Sequence, residues 1–123
     1  MHLYSTEAMP SSGGTTGGSY LIVPKDFESK ARGKTIRVSV IARVDVVNPS
    51  GIFGVAYSTS MAGNSGWQTF TPTEAFEVYS FDYAVSAYDE RPANFDYVGI
   101  NSDMSGRGRG IVVSRVQVET IEP

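Results

Sequence analysis

Residues 35–47 read Thr35-Ile36-Arg37-Val38-Ser39-Val40-Ile41-Ala42-Arg43-Val44-Asp45-Val46-Val47. Ile36, Val38, Val40, Ala42, Val44 and Val46 alternate with Arg37, Ser39, Ile41, Arg43 and Asp45. Successive side chains of an extended chain point to opposite sides, so this period of two puts one set on each face of a β-strand. One face is apolar and the other carries charge, which predicts a strand with a core on one side and water on the other.

The same reading extends along the chain. Residues 76–85 alternate Tyr79, Phe81, Tyr83 and Val85 against Val78, Ser80, Asp82 and Ala84. Residues 20–23, 52–59, 95–101 and 111–119 are further apolar runs of strand composition. Turn formers separate them: Asn48-Pro49-Ser50-Gly51, the break at 91–94, and the glycine-rich 102–110. No stretch holds a period of 3.6, although 26–33 has room for one helical turn. A parallel sheet needs helical crossovers that are absent here, so the expected fold is all-β: a two-sheet antiparallel β-sandwich.

Composition supports one such unit. The chain has 123 residues, 41% hydrophobic and 11% aromatic, enough for a single core. Residues 1–18 are rich in Ser, Thr and Gly and read as a flexible N-terminal arm, either a free tail or a tether to a neighbouring subunit. Residues 19–123 form the binding domain. The net charge of -3 argues against a nucleic-acid partner, although Lys25, Lys30, Arg32, Lys34, Arg37 and Arg43 cluster in one stretch. No run is long enough for a transmembrane helix, which predicts no membrane insertion. The N-terminus has no basic segment followed by an apolar one, so no secretory signal is expected; if Met1 is the natural start, synthesis is cytoplasmic.

Catalytic groups are few. There is no cysteine, and the single histidine, His2, lies in the arm, which disfavours nucleophilic triads and thiolate metal sites. Asp82, Asp96 and Asp103 could pair as acids across a cleft, but each also suits a strand face or a turn. The expected protein is therefore not an enzyme. Asn101-Ser102-Asp103-Met104-Ser105-Gly106 resembles the opening of a calcium loop, yet Val112 stands where the closing acid belongs. A turn held by local hydrogen bonds is the expectation. No cofactor is expected, with room left for a structural calcium ion built from other loops.

Binding groups are better supplied. Trp67, the only Trp, follows Gly63-Asn64-Ser65-Gly66. A ring beside amide and hydroxyl groups suits a sugar, whose CH groups stack while its hydroxyls find polar partners. Alternatively, Trp67 caps the sandwich edge beside Phe70. In Gly106-Arg107-Gly108-Arg109-Gly110, two guanidinium groups on a glycine-rich loop suit an anionic glycan, carboxylate or phosphate, or serve solubility alone. Asn64, Trp67, Arg43, Tyr57, Arg107 and Arg109 are the candidate ligand-binding residues.

Residues 20–24, Gly33-Lys34-Thr35 through Ala42-Arg43, Ala56-Tyr57-Ser58-Thr59, Gly63-Asn64-Ser65-Gly66-Trp67, Phe70 and Asp96-Tyr97-Val98-Gly99-Ile100 together resemble a known family. It is the carbohydrate-binding-module-like, galactose-binding-type β-jelly roll. More narrowly, the chain resembles modules of alphaproteobacterial phage and gene transfer agent head-spike proteins. The resemblance covers roughly residues 18–119. It implies a jelly roll whose first strand is missing unless the arm supplies it. It also implies a non-catalytic spike or decoration subunit on a virion or particle surface. Such a subunit contacts host surface polysaccharide, is anchored to capsid or other spike subunits, and forms a homo-oligomer of closed symmetry. The alternative is a carbohydrate-binding module of a secreted polysaccharide-degrading enzyme, without its catalytic domain.

Overall fold

A computed structural model describes residues 2–4, 19–59, 63–86 and 95–121. Among them are eight strands and one helix: β1 (His2–Tyr4), β2 (Ser19–Ile22), α1 (Lys25–Ala31), β3 (Thr35–Val44), β4 (Phe53–Ser58), β5 (Gln68–Phe70), β6 (Glu77–Ala84), β7 (Tyr97–Asn101) and β8 (Gly110–Thr120). One sheet runs β1-β8-β3-β6 and the other β2-β7-β4-β5, with every neighbour antiparallel. β4 pairs with β5, β3 with β6, β2 with β7 and β1 with β8, four antiparallel pairs nested around one hairpin and folded into two layers. That nesting defines a jelly roll.

The strand missing from residues 19–123 is β1, in which His2 lies opposite Val112 and Tyr4 opposite Gly110. The rest of the arm, residues 5–18, and the pattern break at 91–94 lie outside the described residues.

The alternation read from the sequence is the one the sheets use. Ile36, Val38, Val40 and Ala42 are fully enclosed, while Arg37, Ser39, Ile41 and Arg43 face outward. From the facing layer, Phe53, Val55, Tyr57, Val98 and Ile100 meet them. Phe53 makes edge contact with Tyr79, ring centroids 5.1 Å apart. β8 keeps its apolar set inward by bulging at Ser114: Val113 opposes Ala42, and Arg115 opposes Ile41. Ile111, Val113, Val116 and Val118 therefore all face the core side.

In one place the periodicity misleads. It continues the strand to Val47, but β3 ends at Val44, and Val46 and Val47 are 74% and 88% exposed. Asp45 is the cause. Its carboxylate accepts the Val47 and Asn48 N–H groups at 2.8 and 3.4 Å, turning the chain out of the sheet before the next inward position.

Candidate functional site

The connections 45–52 and 102–109 lie side by side at one end of the sandwich. Gly110 joins them: its carbonyl accepts from the Asp45 and Ser50 N–H groups, and its N–H donates to the Asn48 carbonyl at 2.7 Å. The Asn48 side-chain amide donates to the Gly108 carbonyl at 2.9 Å, and the Met104 N–H to the Ile52 carbonyl at 2.9 Å.

Asp103 organises the arginine loop from within. It is fully enclosed. One carboxylate oxygen accepts the Ser105 N–H and hydroxyl at 2.9 and 2.5 Å; the other accepts the N–H groups of Arg107 and Arg109, each at 3.0 Å. Burial alone would raise its pKa, but the hydrogen bonds from Ser105, Arg109 and Arg107 outweigh it and hold the carboxyl below its ordinary range. Wrapping successive N–H groups around one carboxylate requires left-handed backbone between them, and Gly106 and Gly108 supply it at φ 72° and 74°. Both Asp103 oxygens thus face N–H and O–H donors, the reverse of what a bound cation would need. Among the described residues no group of three or more His, Asp or Glu side chains could hold a metal ion.

The loop is a fixed mount for two exposed guanidinium groups. Arg107 and Arg109, with Pro49, Gly51, Ile52 and Ser105, line an open cleft of about 370 Å3. Neither arginine side chain makes an ion pair or hydrogen bond among the described residues. The cleft combines an apolar floor, a hydroxyl and two unspent positive charges, a set that holds a ring bearing an anionic substituent.

The remaining sequence candidates are dispersed. Trp67 is half-buried and lies outside the second sheet, where its Cε3 stands 3.1 Å from the position a Cβ on Gly54 would take; the Met104 sulfur is 2.6 Å from that point. Trp67 therefore packs on bare β4 backbone beside Met104, on the face away from Phe70, whose ring meets Phe53 in the core at 5.5 Å. Through Met104, Trp67 flanks the arginine end. Asn64 spends its side-chain oxygen on the Gly66 N–H at 2.8 Å, closing its own turn. Arg43 lies on the opposite layer, 5.2 Å over the Phe76 ring, with Nη1 donating to the Val44 carbonyl at 2.8 Å.

Tyr57 corrects the sequence reading. It is 0% exposed, its ring packs against Tyr83 in the core, and its hydroxyl donates to Asp96 Oδ2 at 2.5 Å. β4 is buried along both faces, so the strand offers no surface on which Tyr57 could meet a ligand. The three acids do not converge either. Asp82 pairs with Arg37 on an exposed strand face at 2.8 Å, Asp96 is buried with Tyr57 and Glu28, and Asp103 is the loop hub.

The packing of Trp67 has a direct check. Gly54→Ala places a methyl group where Met104 and Trp67 already sit, and overpacking of this kind costs about 1–3 kcal/mol. The single Trp makes the readout clean: emission is expected to move to longer wavelength as the ring is lifted off β4, together with a lower urea midpoint.

Sequence reasoning missed Pro49, Gly51, Ile52 and Ser105 as parts of the cleft, because it took 48–51 as a turn, Ile52 as the start of a strand and 101–106 as a hairpin turn. The signal present was the doubled turn chemistry of 48–51 and 101–110, two loops that a jelly roll brings to one end. No family model and no curated protein sequence matches the chain.

Proposed function

We propose that this chain is a non-catalytic binding domain that attaches to an acidic surface polysaccharide through the cleft of Arg107 and Arg109. Its place is in a virion or particle spike or decoration subunit, as the sequence resemblance implies. The observation that carries the binding reading is the pair of exposed arginines on a backbone fixed by Asp103. A loop whose only purpose is solubility has no need of a buried carboxylate that fixes its course. With the backbone that carries both guanidinium groups already fixed by Asp103, binding need not order the loop and costs only side-chain freedom, so more of their attraction for a carboxylate or sulfate appears as affinity. Trp67, on the flank, extends the surface with an aromatic edge for sugar CH groups.

The reading is tested by affinity electrophoresis in gels containing polygalacturonate or neutral dextran. Retardation is expected in polygalacturonate, falling with added salt as the exposed charges are screened, with none in dextran. Equal retardation in both gels, or none in either, would overturn it. Binding to purified host-surface polysaccharide, read the same way, extends the test to the particle setting.

A further inference from the structure

We infer that β8 is the surface through which two copies of this chain join, antiparallel and edge to edge, about a two-fold axis at Gln117. β3 covers one edge of β8 from Ile111 to Thr120, but β1 covers the other only from Gly110 to Val112. Along residues 114–120 the outer edge has no strand partner among the described residues, and an edge of this kind is a template for another strand. The core beneath it is unfinished. Val116 and Val118 face inward yet are only half-buried, and an apolar groove of about 280 Å3 opens beside them, lined also by Leu21, Ile22, Pro24 and Phe27. Leu21 and Ile22 are 41% and 58% exposed on the adjoining strand of the second layer.

A second copy is the occupant because the edge is complementary to itself. Residues 115–119 read Arg-Val-Gln-Val-Glu. Antiparallel pairing about Gln117 sets Arg115 opposite Glu119 of the other copy, Val116 opposite Val118, and Gln117 opposite Gln117. Cross-strand neighbours in direct register are the pairs that stabilise a sheet. Sliding the register by two residues in one direction sets Arg115 opposite Ile121 and Glu119 opposite Gln117; sliding it in the other sets Glu119 opposite Val113. One register alone matches both charges and both valines, which is what a two-fold contact between identical surfaces requires. It also extends a row of alternating charge. Asp82 is in register with Arg37, and Arg37 with Glu119, so the partner's Arg115 becomes the fourth member. The two apolar grooves then face each other across the axis.

Sedimentation velocity from micromolar to millimolar protein tests this. A reversible dimer is expected. Arg115→Glu or Glu119→Lys is expected to raise its dissociation constant about tenfold or more, because each reversal acts twice across the two-fold. The double swap Arg115→Glu/Glu119→Lys is expected to return it to within about threefold. Circular dichroism on each variant separates lost association from lost folding. Since the chain has no cysteine, Gln117→Cys gives a single reactive thiol on the axis, and a short bis-maleimide is expected to link it into dimers where Ser80→Cys, on β6, is not linked. A monomer at millimolar concentration overturns the proposal. So does a dimer indifferent to both charge reversals, or equal linking at both cysteines; binding only to an unrelated strand-forming peptide does the same.

Discussion

Replacing Asp103 with alanine is expected to lower the unfolding free energy by about 2–4 kcal/mol and to release the arginine loop from its mount. The carboxylate is the common acceptor for four donors, and hydrogen bonds to a charged group are worth more than neutral ones. The loss stays below the sum of four such bonds because the loop lies at the surface, where freed N–H groups find water. Asp103→Asn keeps the shape but sets an NH2 group against the N–H groups of Arg107 and Arg109, so an intermediate loss is expected. Urea denaturation measures both.

The same residue imposes a pH dependence of known sign. Its folded pKa is depressed relative to an unfolded value of about 3.9. As pH falls, the unfolded chain therefore takes up this proton before the folded one does. The stability contributed by Asp103 is complete above the unfolded value and is lost as pH falls through the folded value. The gap in urea midpoint between the wild-type chain and Asp103→Asn is expected to be widest near neutrality and to narrow below about pH 4. A gap that stayed constant to lower pH would mean that the carboxylate is not the species the loop holds.

The second large effect is on binding. Arg107→Glu together with Arg109→Glu converts two attractions for an acidic polymer into two repulsions, and a loss of about 100-fold or more in affinity for polygalacturonate is expected. Stability is expected to stay within about 0.5 kcal/mol, since both side chains are exposed and the mount is built from their backbone N–H groups. Loss of binding with unchanged folding distinguishes this variant from Asp103→Ala, which loses both. Arg43→Glu serves as the control from the opposite layer, with affinity expected to be nearly unchanged.

These effects bear on what the residues alone could tell. β3 and β6 were legible because each has one wet face and one dry face, so chemistry alternates with geometry. β4 hid its inward set, because a strand buried on both faces carries no alternation. Tyr57 was therefore read as a surface ring when its hydroxyl is tied to Asp96 inside the core. β1 and β5 are three residues each, too short for any period to register. Val46 and Val47 kept the strand pattern while Asp45, through its own side chain, took the backbone out of the sheet. The arginine pair was visible as composition, but its rigidity was not. That depends on one carboxylate reaching backbone groups four and six residues ahead, a relation fixed by the fold of the loop. The glycines at 106 and 108 hinted at the left-handed turns without naming their centre.

In the proposed binding mode the acidic saccharide sits on the loop end of the sandwich, with Trp67 at its flank, and not on the outer face of β3. Amide chemical-shift mapping with a galacturonate oligosaccharide tests it most directly. The expected result is a saturable set of shifts largest at residues 50–52 and 103–110, with smaller changes at the Trp67 indole and none on β3. Shifts centred on β3 and β6, or on β2 and β7 with residues 103–110 unmoved, would contradict it.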